Sequence, residues 1–255
     1  MKLRSRVIPC LLLDRNSLVK TVRFKSPSYI GDPANTVRIF NELEVDELCI
    51  LDITASVQGR APTWELLTEV ASEAFMPLSY GGGVRDVATV GRLLRIGFEK
   101  VIINTAAQLE PDLIRKAADA YGSQAIIVSI DVRRKFLGRY EVMVASGTRS
   151  TSRDPVTAAL DAQRSGAGEI LLTAIDREGT WTGFDVELTA SVTRRVSVPV
   201  IANGGEGSLE HIGAAIDRGG ASAVALGSMV VYQGQDLGVL VSFPDAADLA
   251  RVLRR

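Results

Sequence analysis

Short apolar runs of strand composition alternate with segments of helical period along the whole chain, and this alternation limits the possible folds more than any other feature. Strands are predicted over 7–13, 47–53, 76–80, 100–104, 125–131, 169–173, 199–203 and 221–226. Helices are predicted between them, over 32–43, 63–75, 87–96, 111–121, 154–164, 185–195 and 208–218. Asp32 stands where an N-cap belongs and Pro33 at the first turn, while Gly97, Gly166 and Gly219 sit where helices should stop. Strands that are apolar throughout fit a parallel sheet covered on its outer face. Eight strands, seven internal helical segments and a terminal one spell an α/β (β/α)8 barrel of the TIM type.

The two halves also resemble each other. Glu47-Leu-Cys-Ile-Leu-Asp aligns with Glu169-Ile-Leu-Leu-Thr-Ala at an offset of 122, and Pro77 before Tyr80-Gly-Gly-Gly aligns with Pro199 before Asn203-Gly-Gly-Glu at the same offset. Asn104-Thr105 aligns with Gly227-Ser228 at 123. The expectation is one domain of two half-barrels, about 1–122 and 123–245, with a terminal helix to 255. An open doubly wound sheet explains the alternation but not the duplication.

Charge and composition exclude several classes. With 29 basic and 30 acidic side chains among 255 residues, there is no basic field to attract nucleic acid or acidic lipid. Cys10 and Cys49 show no paired spacing, which argues against a zinc ribbon or a disulfide framework, and neither a metal nor a cofactor is expected. The chain holds a single histidine, His211, so acid–base chemistry near neutral pH falls to carboxylates, Lys, Cys or Tyr. No run of about 18 apolar residues is present, and the N-terminus reads directly into a strand. A soluble, cytoplasmic protein is expected.

In such a barrel, chemistry collects where strands end. Gly81-Gly82-Gly83 follows the third predicted strand and Asn104-Thr105 the fourth; Gly204-Gly205 and Gly227-Ser228 occupy the corresponding places after the seventh and eighth. Glycines let backbone amides approach an anion, so these are two candidate phosphate corners, with Gly179 a further amide. Tight turns are the plainer alternative. Asp52, Asp131, Thr173 and Asp176 are the other polar residues near strand ends. Asp131 closes an apolar run, where a carboxylate is costly unless partnered or used; a rim salt bridge to Arg133 or Lys20 is the structural alternative. Lys20 is either a phosphate or substrate contact or an exposed loop lysine. Glu178 and Glu206 flank the second corner, where carboxylates repel a phosphate unless they face away.

The ordered motifs Arg6-Val-Ile-Pro-Cys10, Leu18-Val-Lys20, Gly31-Asp-Pro33, 46–56 (Asp-Glu-Leu-Cys-Ile-Leu-Asp-Ile-Thr-Ala-Ser), Gly81-Gly-Gly-Val84, Ile103-Asn-Thr-Ala-Ala107, Gly122-Ser-Gln124, Gly166-Ala-Gly-Glu169 and Asp176-Arg-Glu-Gly-Thr180 resemble the cyclase subunit of imidazole glycerol phosphate synthase, from about Arg4 to Met229. The resemblance implies a barrel that receives ammonia through its interior from a glutaminase subunit docked on the N-terminal face. It implies an ammonia gate at Arg6, Glu47, Lys100 and Glu169, which by sequence also stand at strand starts, where a stabilising salt-bridge ring is the compatible plain reading. Of the family's two catalytic aspartates, one matches Asp131. The other falls at Leu12, which can neither accept nor donate a proton; Asp14 lies two residues, about 7 Å of extended strand, further on.

The segments 6–13, 18–25 and 31–41 and the tail Gln233-Gly234 resemble more closely the paralogues that turn an acetamido group of a nucleotide-linked sugar into an acetamidino group in surface-polysaccharide pathways. Replacing an amide oxygen by nitrogen needs that oxygen activated, yet the chain has no GxxxxGK[ST] phosphate loop and no Ser-Gly-Gly-x-Asp-Ser loop. The implied partners are a glutaminase, a phosphorylated small molecule or nucleotide-sugar substrate, and a separate ATP-using sugar amidotransferase. Three alternatives stay open: a histidine-pathway cyclase/lyase, a sugar-phosphate isomerase of the same half-barrel superfamily, and a non-catalytic phosphate-binding scaffold that activates a glutaminase. Leu12 opposes the first two.

Overall fold

A computed structural model describes residues 5–253. Residues 1–4, with the Arg4 at which the resemblance begins, and 254–255, the end of the expected terminal helix, lie outside them. Eight parallel strands form the barrel: β1 (Arg6–Asp14), β2 (Leu48–Asp52), β3 (Leu78–Gly81), β4 (Lys100–Ile103), β5 (Ile126–Arg134), β6 (Glu169–Ala174), β7 (Val200–Asn203) and β8 (Ala223–Leu226). β1 bonds to both β2 and β8, and the β5–β6 pairing completes the circle. Every expected barrel strand is present within about two residues, except that β5 runs on to Arg134.

Outside lie α1 (Pro33–Glu42), α2 (Trp64–Glu73), α3 (Val87–Ile96), α4 (Pro111–Tyr121), α5 (Pro155–Arg164), α6 (Val186–Thr193), α7 (Leu209–Asp217) and α8 (Ala246–Val252). Their starts are chemically specified: the Asp32, Asp86, Asp154, Asp185, Ser208 and Asp245 side chains accept from first-turn amides of the helices that follow. Gly97 takes φ +126° after α3, and Gly166 φ +98° after α5, as stop glycines do. After α7 it is Gly220, not the expected Gly219, that takes the left-handed conformation.

Alternation along each strand divides the core in two. Val7, Leu11, Leu13, Leu48, Ile50 and Tyr80 join the larger cluster under the helices, where Phe40, Leu67 and Leu93 are fully buried. Ile8, Cys10, Cys49, Ile102, Ile127, Leu171, Ile201, Ala223 and Ala225 fill the barrel interior. There Cys10 and Cys49 are register partners on β1 and β2, both free thiols, with sulfurs 3.7 Å apart.

Two antiparallel hairpins not expected from the sequence rise from the C-terminal rim. Ser17–Val22 folds back on the end of β1 and pairs with Lys25–Gly31. Tyr140–Val144 pairs with the extension of β5, and Arg149–Ser150 with Tyr140–Val144. Among the described residues no helix is long and apolar enough to cross a membrane. Because Phe40 is 0% exposed in the strand–helix layer, Phe40→Ala is expected to destabilise the barrel by about 3–5 kcal/mol. A urea titration checks this: the midpoint falls while the slope is unchanged.

Candidate active site

Side chains two residues apart share a strand face, and the inward rows carry three kinds of residue in order. On β1 the row is Arg6, Ile8, Cys10, Leu12; leading into and along β2, Glu47, Cys49, Leu51; on β4 and just past it, Lys100, Ile102, Asn104; on β6, Glu169, Leu171, Thr173. Charge stands at the bottom, apolar or thiol groups fill the middle, and the top lines an open cavity.

The bottom layer is a closed ring of ion pairs. Arg6 Nη1 donates to Glu47 Oε2 at 2.7 Å and Nη2 to Glu169 Oε2 at 2.8 Å. Lys100 Nζ bridges the same two carboxylates, at 3.1 Å to each Glu47 oxygen and 2.9 Å to Glu169 Oε1. Two cations facing two anions leave the ring neutral. Directly inside it is a void of about 10 Å³, lined by Glu47, Cys49, Ser79, Ile102, Ile127 and neighbouring apolar side chains, near the minimum that holds one water-sized molecule.

At the other end the mouth opens into a cavity of about 300 Å³, within the range of small-molecule sites. Ile102 lines both spaces. The structure brings Lys20, Asp52, Gly82, Gly83, Asn104, Thr105, Asp131, Thr173, Gly204 and Gly227 to the cavity wall, together with Leu12. Asp176, Gly179, Gly205 and Ser228 lie off that wall. Asp176 is exposed and accepts from the Arg134 amide at 2.6 Å, tying the loop after β6 to the end of β5. Gly179 packs under the first hairpin, where a Cβ would come within 2.4 Å of the Thr21 carbonyl oxygen. The Gly205 carbonyl accepts from the Gly183 amide at 2.7 Å.

Asp131 is buried, and among the described residues it has no ion pair with Arg133 or Lys20, so the rim salt bridge is not what holds it. Burial pushes its carboxyl from 3.8 up to about 6, although hydrogen bonds with Thr173, Ser129 and Asn104 pull it down; Ser129 Oγ lies 3.3 Å from Oδ1. A carboxyl poised there exchanges protons readily near neutral pH. Asp52 is differently placed. It accepts from the Thr54 and Ala55 amides at 3.0 and 2.9 Å and is paired with Arg60 at 3.0 Å, so it organises the loop after β2. Asp14 accepts from Thr54 Oγ1 at 3.1 Å and does not line the cavity, so it does not stand in at Leu12.

Lys20 is no exposed loop residue. It is 6% exposed, lies in the first hairpin and forms an ion pair with Glu178. Glu178 also accepts from Thr21 Oγ1 and the Phe24 amide, each at 3.0 Å. Glu206, 3% exposed, takes the amides of Gly227 and Ser228 on one oxygen at 2.6 and 2.8 Å. Glu178 and Glu206 thus face inward rather than away. Burial raises the Glu206 pKa, opposed by Lys20 and those amides.

Reading the sequence alone overlooked Ser129, Arg60, and the cavity-lining hairpin residues Phe24, Pro27, Ser146 and Thr148. Ser129 was accessible by counting back two from Asp131 along the strand. The sole histidine, His211, sits in the first turn of α7 and does not line the cavity.

Against known proteins, the chain matches the family described as "Histidine biosynthesis protein" over residues 6–236. It belongs to that family. Relatives named as imidazole glycerol phosphate synthase HisF subunits match it over most of their length. A protein of Pseudomonas aeruginosa named provisionally as imidazole glycerol phosphate synthase subunit hisF2 is 48% identical over 96% of this chain and 98% of its own length. The imidazole glycerol phosphate synthase subunit HisF of Nocardioides is 45% identical over 88% and 90%, and that of Streptomyces coelicolor 44% over the same shares.

In this histidine-biosynthesis family barrel the raised Asp131 pKa sets a pH dependence. The folded state holds the proton to about pH 6 and the unfolded chain only to about 3.8, so this contribution is full below pH 4 and lost as pH rises through 6. Asp131→Asn removes the buried charge. It is expected to gain roughly 2–3 kcal/mol over wild type at pH 7–8, an advantage that fades toward pH 4. Urea midpoints across that range check it.

Proposed function

We propose that this barrel is the ammonia-receiving subunit of a cytoplasmic glutamine amidotransferase complex, serving acetamido-to-acetamidino conversion on a nucleotide-linked sugar for surface-polysaccharide synthesis. The glutaminase docks on the face that carries the Arg6–Glu47–Lys100–Glu169 ring. Ammonia, small and neutral, passes the ring, crosses the apolar void inside it and emerges beside Ile102 into the mouth. A phosphate of the ligand lies against Gly82, Gly83, Asn104 and Thr105. The observation that carries this reading is Leu12 on the cavity wall: the site keeps one acid–base carboxyl, Asp131, and has an apolar group where the family resemblance implies the other.

The chemistry divides accordingly. In the net change, ammonia supplies the new C–N bond and the amide oxygen leaves. Hydroxide is too poor a leaving group, so the oxygen first becomes an ester of phosphate or of a nucleotide. A separate ATP-using amidotransferase performs that activation, and the barrel delivers nitrogen to an already reactive carbon. Asp131 takes up a proton from the attacking nitrogen.

The second reading, a cyclase/lyase subunit of histidine biosynthesis, is favoured by the same carboxyl and by the names of the HisF relatives. Ammonia-dependent turnover of the histidine-pathway intermediate by the folded barrel separates the two. The expected result is no turnover by wild type, with activity created by Leu12→Asp. Turnover by wild type establishes the cyclase reading instead.

A further inference from the structure

The two glycine corners of the mouth differ in one respect that the half-chain repeat conceals. At the first corner, formed by Gly82, Gly83, Asn104 and Thr105, the loop carboxylate is paired, and Asp131 reaches only the Asn104 side chain and not the corner amides. Asp52 is occupied by the amides of Thr54 and Ala55 and by Arg60. The Gly83 amide meets a hydroxyl, Ser56 Oγ, at 3.3 Å, and among the described residues no loop carboxylate accepts from the amides of this corner. At the second corner the Gly227 and Ser228 amides already hold an anion of the chain's own, Glu206 Oε1 at 2.6 and 2.8 Å. The cation beside it, Lys20, is neutralised by contact with Glu178. Lys20, Glu178 and Glu206, all three 6% exposed or less, set two acids against one base.

We propose that Glu206 is a specificity-determining residue that occupies the second anion corner from within, so that this barrel takes a ligand carrying phosphate at one end only. The far end of that ligand is uncharged or cationic and rich in hydrogen-bond donors. It meets Glu178, Glu206, Thr173 and Asn203, all of which line the cavity. A sugar bearing hydroxyl and amide N–H groups, attached to a phosphate, has this character; a compound with a phosphate at each end does not. An incoming second phosphate must displace a carboxylate from two short amide hydrogen bonds and then sit beside it with no free cation supplied by Lys20, which like-charge repulsion in a desolvated site forbids. The inference rests on the mouth being the ligand site of the proposed function and adds the class of ligand that fits it.

Phosphate stoichiometry tests it on the isolated, full-length barrel. Equilibrium dialysis against radiolabelled inorganic phosphate, in a phosphate-free buffer at pH 7.5, counts the sites. Wild type is expected to bind one phosphate per chain and Glu206→Ala two, the new site at least ten-fold tighter than any second site in wild type. Glu206→Gln keeps an acceptor on the two amides while removing the charge. It guards against misfolding of the alanine variant and is expected to show a second site of intermediate strength; thermal melts by circular dichroism verify the fold of both. Two sites in wild type overturn the proposal, as does none, because the first corner is then not open. A count that stays at one in both folded variants overturns it as well. The count involves no glutaminase and no ammonia, so failure of ammonia transfer leaves it standing, and a wrong count does not decide the transfer reaction.

Discussion

The two-residue alternation of a closed parallel barrel is the constraint from which the rest follows. A side chain that points inward on one strand is held at a fixed height by register with its neighbours: Cys10 opposite Cys49, Leu12 opposite Leu51, Thr173 opposite both Asp131 and Asn203. Each inward row therefore places a bottom, a middle and a top residue in three shared layers. A one-residue slip would turn Arg6, Lys100 and Asp131 outward into the apolar strand–helix layer, where their charges have no partners. The same hydrophobic pattern that makes the strands pair thus also fixes the ion-pair ring beneath one end and the polar cavity at the other.

Within those layers the protein neutralises its charges locally. The bottom ring closes on itself, Arg60 answers Asp52, and Glu178 answers Lys20. Asp131 differs because its partners are neutral: Ser129, Thr173 and Asn104 offer hydrogen bonds but no charge. Desolvation then outweighs hydrogen bonding, and the proton stays to about pH 6. Among the described residues Asp131 is an inward-row carboxyl at the top with no cationic partner, and its titration is moved toward neutrality, an arrangement that suits a proton-transferring group.

The barrel was legible because its signal is periodic and local. Apolar runs, capping aspartates such as Asp32 and Asp154, and Gly97 each state their role within a few residues. The ring residues were singled out by the family resemblance, and their places at strand starts agreed with it. The hairpins were not, because 17–31 and 132–150 mix polar residues with short alternating stretches such as 140–144, and only the raised rim of the barrel gives those strands an edge to pair with. For Lys20 the sequence left a ligand contact and an exposed loop lysine both open, and the hairpin that folds it over Glu178 excludes the second. The long reach of Glu206 was equally hidden. Its carboxylate meets amides 21 and 22 residues away, and a glycine pattern alone cannot say whether the anion held there is a ligand or the chain's own.

Leu12 and Glu206 together change what a site of this architecture can do. An acid–base pair across the mouth and an anion corner at each side suit a large phosphate-ended substrate that is both bound at its two ends and cleaved by proton transfer. Here the position that the resemblance assigns to one proton-transfer group carries an aliphatic side chain, Leu12, and in our proposal one anion corner is closed by a buried carboxylate. What persists is the interior from the ring to the mouth, the first corner, and a single near-neutral carboxyl. Addition of ammonia to a carbon whose leaving group another enzyme has installed needs little more: a conduit, one anchor for the substrate, and one base to collect the proton that nitrogen sheds. The changes at the mouth fall on functions such a reaction does not use, whereas the neutral ring and the apolar interior, the route we propose for nitrogen, carry no such change.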